Sequence, residues 1–226
     1  MVKTRILLAD DHAVVREGMR DLLDREKGFE VVGEASDGEE AIRLAIEFRP
    51  DVVLMDIVMP GLSGIEATRQ IKEAAPRTNV LILTAYSDIR YVVGLLEAGA
   101  CGYLLKSARR SEIIEAIRAV QSGESVLAPE VTRKLLERAV GAARGQASSG
   151  RAEVLSAREH EVLRLAAKGM SNKAIASTLL VSVRTVKAHL TSIFNKLGVG
   201  CRTEAITKGF QEGYITLDEV PSGETY

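Results

Sequence analysis

The 226-residue sequence predicts an α/β fold, a doubly wound five-stranded parallel sheet, followed by a small all-α four-helix unit. Three observations carry this reading. Five short apolar runs are near-continuous rather than alternating, as expected of parallel strands covered on both faces. Stretches with apolar residues at helical spacing separate them. Beyond a Gly/Ser-rich segment the pattern becomes helical throughout, which marks a second architecture.

The strand candidates are residues 5–9, 30–35, 51–55, 79–84 and 101–105. Between them, Val14, Val15, Met19, Leu22 and Leu23, then Ala41, Ile42, Ala45 and Ile46, and last Ile113, Ile114, Ile117 and Val120 form helical stripes. Ser36 with Glu39 and Ser63 with Glu66 fit the Ser-x-x-Glu capping box. Residues 129–143 read as a helix and 145–150 as a flexible linker. Ser156 with Glu159 caps a helix over 157–168 that Gly169 ends, and further helices are expected over 171–179, 182–197 and 202–212. The division expected is 1–124, a linker over 125–152, and a second domain over 153–226.

Charge is distributed unevenly. Residues 151–210 hold 10 Lys and Arg against 4 Asp and Glu, whereas residues 1–150 hold 20 against 23. A basic segment beside an acidic one points to the C-terminal unit as the part that meets a polyanion. The apolar run near the start is too short for a signal peptide and no stretch approaches transmembrane length, so a cytoplasmic protein without membrane contact is expected. Cys101 and Cys201 have neither metal-like nor redox spacing and read as reduced core fillers. His12, His160 and His189 show no ligand spacing.

The strand ends carry chemistry. Strand one runs into Asp10 and Asp11, strand three into Asp56, strand four ends in Thr84, and strand five contains Tyr103 and runs into Lys106. Parallel strands bring all of these to one edge. Carboxylates gathered there repel one another unless a cation lies among them. Oxygen ligands in a partly wet site suit Mg²⁺. Lys106 and Thr84 supply the charge and hydroxyl that stabilise a phosphoryl group in transfer, with Asp56 as nucleophile.

Asp10-Asp11, the MDIVMPGLSG stretch around Asp56, Thr84-Ala85 and Lys106 together resemble the receiver domain of a two-component response regulator. The resemblance implies a flavodoxin-like fold and phosphorylation of Asp56 by a sensor histidine kinase. It also implies Mg²⁺ held by Asp11, Asp56 and the Val58 backbone carbonyl, with Asp10 acting through water. Thr84 and Tyr103 match the family's switch pair. Pro60, Gly61 and Gly64 shape the loop that carries Asp56. Lys106 is followed by Ser107 where receivers commonly have proline, which leaves the backbone there open.

In the C-terminal unit, SNKAIASTLLVSVRTVKAHLTSIFNKLGV has helix-turn-helix proportions. Val183, Val186, Leu190, Ile193 and Leu197 form the inner stripe of its second helix. Arg184, Thr185, Lys187, Ala188 and Thr191 lie opposite, short or basic, as a helix in a major groove requires. Lys173, Lys196 and Arg202 are candidates for flanking phosphates. With LSAREHEVLRLAAKGMSNKAIA and CRTEAI, residues 153–212 resemble a LuxR-type DNA-binding domain. That implies base reading by Lys187, Ala188 and Thr191, and a homodimer on double-stranded promoter DNA joined through the last helix. The combined expectation is a NarL/FixJ-type transcriptional regulator controlled by phosphorylation, not an enzyme beyond its own phosphorylation and dephosphorylation. A phosphate-ester hydrolase using Asp56 is the rival from another class; the absence of a substrate-cap insertion between the strands counts against it.

Overall fold

The computed structural model describes residues 3–85, 94–124, 126 and 155–215. Its α/β unit runs β1 (Thr4–Ala9), α1 (Ala13–Asp24), β2 (Phe29–Ala35), α2 (Gly38–Phe48), β3 (Val52–Met55), α3 (Gly64–Ala74), β4 (Asn79–Thr84), β5 (Gly102–Leu105) and α4 (Arg110–Gln121). The helical unit comprises α5 (Ala157–Ala167), α6 (Asn172–Thr178), α7 (Val183–Leu197) and α8 (Arg202–Gln211). The helix expected over 129–143 and the linker over 145–150 lie outside the described residues.

All strand pairs are parallel and the order is β2-β1-β3-β4-β5. The apolar runs are continuous because each strand serves two cores. Leu7, Val53, Met55, Val80 and Ile82 pack with Ala41 and Ala45 of α2 and Ala67 and Ile71 of α3. Their neighbours Ile6, Leu8, Leu54 and Leu81 face the other way, against Leu23 of α1 and Ile113 and Ile117 of α4. Successive side chains on a strand point to opposite faces, so one run fills both layers.

Caps largely follow the sequence signals, with one shift. Ser63 accepts from the Glu66 amide, and Ser156 with Glu159 forms a reciprocal box. For α2 the N-cap is Asp37 rather than Ser36: Asp37 accepts from the Glu40 amide at 2.8 Å, while Glu40 accepts from the Ser36 amide at 3.0 Å. Asp is as good an N-cap as Ser, and its extended backbone at φ −153° places it there.

The helical unit closes around Val162, Leu163, Ile175, Val186, Leu190, Ile193, Leu197 and Ile206. Four of the five stripe residues expected on α7 are buried; Val183, in its first turn, stays 39% exposed. No helix among the described residues is long and apolar enough to cross a membrane.

Candidate functional site

Strand register assembles the acid site. Ala9 is opposite Met55, Met55 opposite Ile82, and Thr84 opposite Leu105. The residues just beyond therefore meet at one sheet edge: the Asp56 amide donates to Ala9 O at 2.8 Å and the Lys106 amide to Thr84 O at 2.7 Å. Loop glycines make the approach possible. A Cβ on Gly64 would stand 2.0 Å from the Asp56 carbonyl oxygen, and Gly61 adopts φ +71°.

Asp10 and Asp56 are 6% and 5% exposed, a costly burial unless paired. Lys106 Nζ pairs with both, 2.7 Å from Asp10 Oδ2 and 2.7 Å from Asp56 Oδ2. Asp56 Oδ1 accepts from the Ile57 amide at 2.7 Å. Partial burial would lower the Lys106 pKa, but the hydrogen bonds from Asp10 and Asp56 outweigh it and the pKa lies above the usual lysine value. Lys106 is thus a fixed ammonium. Thr84 is fully buried and Tyr103 half-buried at the same edge, and Val58 is 53% exposed in the loop after Asp56. The described residues contain no cis peptide, so the bond after Lys106 is trans.

Asp10, Asp11, His12 and Asp56 each bring a ligand atom within 4.8 Å of the others. Asp11 Oδ1 is buried and makes no hydrogen bond; its neighbour is the His12 ring Nδ1 at 2.7 Å. Three carboxylates, two of them paired with Lys106 and the third, Asp11, beside only the His12 ring, form a donor set of hard oxygens that fits a small divalent cation. His12 joins this cluster directly after Asp10 and Asp11, although its lack of ligand spacing to another histidine gave it no role in the sequence.

On the helical unit, Lys173, Arg184, Lys187, Ala188 and Thr191 are exposed and Thr185 is half-buried. Ser182 fixes the start of α7 by accepting from the Thr185 amide at 3.0 Å. Two candidates for phosphate contacts are engaged elsewhere. Arg202 is 3% exposed, and its Nη2 donates to Ala166 O and Met170 O at 2.7 Å each. It satisfies carbonyls at the end of α5 and is not a surface phosphate ligand. Lys196 Nζ lies 2.6 Å from Glu159 Oε2, so its charge is largely neutralised within the unit, although the side chain remains 38% exposed. That carboxylate also accepts from Ser192 at 2.6 Å. Burial raises the Glu159 pKa, but Lys196, Ser192 and Ser156 bring it down to about 2.

A further set of residues, invisible to spacing, joins the two units. Lys72 Nζ is 2.8 Å from Glu204 Oε1, Thr203 Oγ1 donates to Cys101 O at 3.0 Å, and Asn172 Nδ2 donates to Ser122 O at 3.1 Å. Lys187, Leu190, Thr191 and Phe194 of α7 line a cleft with Gln121 and Gly123 from the end of α4. One edge of the outer face of α7, Lys187 and Thr191, thus borders the α/β unit.

Comparisons with known proteins agree with this geometry. Residues 6–118 match the family model described as response regulator receiver domain. Residues 153–208 match that described as bacterial regulatory proteins, luxR family. The transcriptional regulatory protein LiaR of Bacillus subtilis (strain 168) is 44% identical over 201 residues, covering 89% of this chain and 94% of that protein. The response regulator protein VraR of Staphylococcus aureus (strain NCTC 8325 / PS 47) is 41% identical, covering 93% and 98%. Among solved structures, the RcsB response regulator of Salmonella typhimurium aligns over 91% of this chain and 97% of its own, with a TM-score of 0.54 at 29% identity. A LuxR-family response regulator from Aurantimonas sp. SI85-9A1 aligns over 61% and 99%, with a TM-score of 0.55 at 41% identity.

Proposed function

Because this chain belongs to the two-component response regulators that join a receiver domain to a LuxR-type DNA-binding domain, we propose that Asp56 is its phosphoacceptor and that the phosphoryl group controls its grip on promoter DNA. The observation that carries the reading is Lys106 Nζ, held at 2.7 Å from both Asp56 and Asp10 at the sheet edge. A lone structural lysine at a strand end has no need of two buried carboxylates.

The chain's own groups divide the work. The Ile57 amide fixes one Asp56 oxygen, and Lys106 holds the other until a phosphoryl group arrives. A carboxylate oxygen of Asp56 then forms the bond to phosphorus while the bond from phosphorus to a kinase histidine nitrogen breaks. Lys106 neutralises the charge on the transferred oxygens. Asp11, Asp56 and, as the family resemblance implies, the Val58 carbonyl would hold Mg²⁺, with Asp10 assisting through water; when bound, the ion would supply further positive charge to the phosphoryl oxygens. Thr84 and Tyr103, buried and half-buried beside the site, are the switch that carries the change to the face around β5.

The reader responds through docking. With Lys187 and Thr191 lining the cleft against α4, the α/β unit stands beside one edge of the helix that would enter a major groove and crowds its approach to DNA. The Lys72–Glu204 pair and the Thr203 and Asn172 hydrogen bonds support this as the resting arrangement. Phosphorylation favours the undocked form, which presents Arg184, Thr185, Lys187, Ala188 and Thr191 to bases, with Lys173 and the partly engaged Lys196 toward phosphates. Ala188 and Thr191 are small, so sequence preference leans on methyl contact and DNA shape. A two-fold site on DNA calls for a homodimer. The partners are then a sensor histidine kinase and cytoplasmic DNA, and chemistry is confined to the chain's own phosphorylation and dephosphorylation.

The test is transfer of labelled phosphate from acetyl phosphate with Mg²⁺, followed by borohydride trapping and peptide mapping. Label on the peptide containing Asp56, absent in Asp56→Asn, is the expected result. Equal labelling of Asp56→Asn, or steady turnover of a phosphomonoester, would overturn it.

A further inference from the structure

Cys101 and Cys201 are the chain's two cysteines, and the fold brings them together. Cys101 stands just before β5 on the sheet, and Cys201 is the N-cap of α8 in the other unit. Their sulfurs and a Glu204 carboxylate oxygen lie within 4.8 Å of one another, and the two residues are 1% and 2% exposed. The surrounding contacts hold the backbones in place. Thr203, two residues from Cys201, donates to the Cys101 carbonyl at 3.0 Å. At Gly200 a Cβ would stand 1.9 Å from Pro76 O, so the chain there lies directly against the α/β unit. The Cys101 thiol makes a long contact, 3.4 Å, to Asn79 Oδ1.

Two chemistries suit paired sulfurs, a soft cation or a disulfide. A cation is disfavoured because Glu204 is already neutralised by Lys72 at 2.8 Å, and the ammonium repels a metal placed beside it. A disulfide needs no charge. It holds its sulfurs about 2.05 Å apart, so the two side chains must turn toward each other to close the remaining gap.

We propose that Cys101 and Cys201 form a reversible disulfide that ties the DNA-binding unit to the receiver when the cell meets a peroxide. The chemistry is a two-electron oxidation. One thiolate attacks a peroxide oxygen, the O–O bond breaks, and the sulfur becomes a sulfenic acid as water leaves. The second thiolate then attacks that sulfur and expels hydroxide, which takes up the proton. Two thiols and one hydrogen peroxide become one disulfide and two waters. Burial pushes the Cys201 thiol well above its ordinary pKa, so the docked form protects both sulfurs. Oxidation therefore starts when the units part, and re-docking completes the link. This inference rests on the reading that docking withholds α7 from DNA. A linked chain then stays docked even with a phosphoryl group on Asp56, and a reducing cytosol restores the response.

The experiment uses the full chain, reduced, freed of reductant and treated with hydrogen peroxide. Free thiols are then alkylated, and the chain is digested without reduction for mass spectrometry. The expected result is a linked peptide pair containing Cys101 and Cys201 from chains that run as monomers on a non-reducing gel. It disappears with dithiothreitol and is absent from Cys101→Ser. Recovery of the cysteines as separate alkylated peptides, as sulfinic acids, or linked between two chains would overturn the proposal. With acetyl phosphate and Mg²⁺ present, the linked chain is expected to bind DNA about tenfold or more weakly than the reduced chain; equal affinity would overturn the regulatory role. If the reduced chain answers the phosphodonor and no link forms, this inference alone fails. If the link forms and the reduced chain ignores the phosphodonor, the docking reading fails instead.

Discussion

Lys72 of α3 and Glu204 of α8 form an ion pair between the two units, Nζ to Oε1 2.8 Å, with side chains only 8% and 13% exposed. Burial by itself would lower the lysine's pKa, yet Cys101, Cys201 and Glu204 together raise it, so the lysine stays charged. Removing one partner of such a pair leaves the other buried and uncompensated, which typically costs about 3–5 kcal/mol. Here that cost falls on the docked arrangement. Lys72→Ala is expected to raise DNA affinity without phosphodonor by about tenfold. Gel-shift titration checks it, and small-angle scattering should report a larger radius for the variant.

Lys106 is the second lever. Its ammonium serves Asp10 and Asp56 at once, so Lys106→Ala removes the charge that meets the incoming phosphoryl oxygens. Labelling of Asp56 by acetyl phosphate is expected to slow by about 10²-fold, the usual scale for one preorganised electrostatic group. Unchanged circular dichroism would exclude unfolding as the cause.

Arg202 separates a structural role from a DNA contact. Its buried guanidinium donates to Ala166 O and Met170 O. Burial lowers its pKa to about 10, which leaves it charged at neutral pH. Arg202→Ala is expected to destabilise the helical unit by about 3 kcal/mol through the lost hydrogen bonds to Ala166 O and Met170 O and the lost packing, measured by urea unfolding. The salt dependence of DNA binding at low temperature, where the variant is folded, should keep its slope, whereas Lys187→Ala should reduce it by about one.

Much of this was legible beforehand, for physical reasons that differ by feature. Strands buried on both faces have to be apolar along most of their length, so the runs expected over 51–55 and 79–84 stood out from composition alone and lie over β3 and β4. The acid site was legible because parallel strands share an edge, and Asp10, Asp56 and Lys106 each follow a strand end directly. The cap of α2 was misplaced by one residue, since Ser36 and Asp37 are both good caps and only the backbone decides between them. Arg202 read as a phosphate ligand because a sequence records its charge and not its burial. Lys72, Glu204 and the cysteine pair carried no signal at all. Their partners lie about a hundred positions away or more, in a different unit, and only the docked fold brings them together.

Glu159 sets a pH dependence for the helical unit. Its carboxyl pKa is lowered from 4.5 to about 2 in the folded chain, so the unfolded chain binds the proton more readily. The stabilisation is fully present above pH 4.5 and is lost as the pH falls toward 2. A shift of this size corresponds to about 3 kcal/mol at neutral pH. Glu159→Gln is therefore expected to be less stable than the parent at pH 7, with the gap shrinking between pH 4.5 and 2. Thermal unfolding at a series of pH values checks it; a gap that does not vary with pH would assign the effect to packing instead.

The central claim is that a phosphoryl group on Asp56 frees α7 from its place against α4, and a DNA-binding titration tests it most directly. Genomic fragments selected by footprinting are titrated with reduced protein, with and without acetyl phosphate and Mg²⁺, in parallel with Asp56→Asn. The account expects the phosphodonor to tighten binding by about tenfold or more in the parent chain and to leave the variant unmoved. An Asp56→Asn chain that responds as the parent does, or a parent whose affinity stays the same while Asp56 carries label, would contradict it.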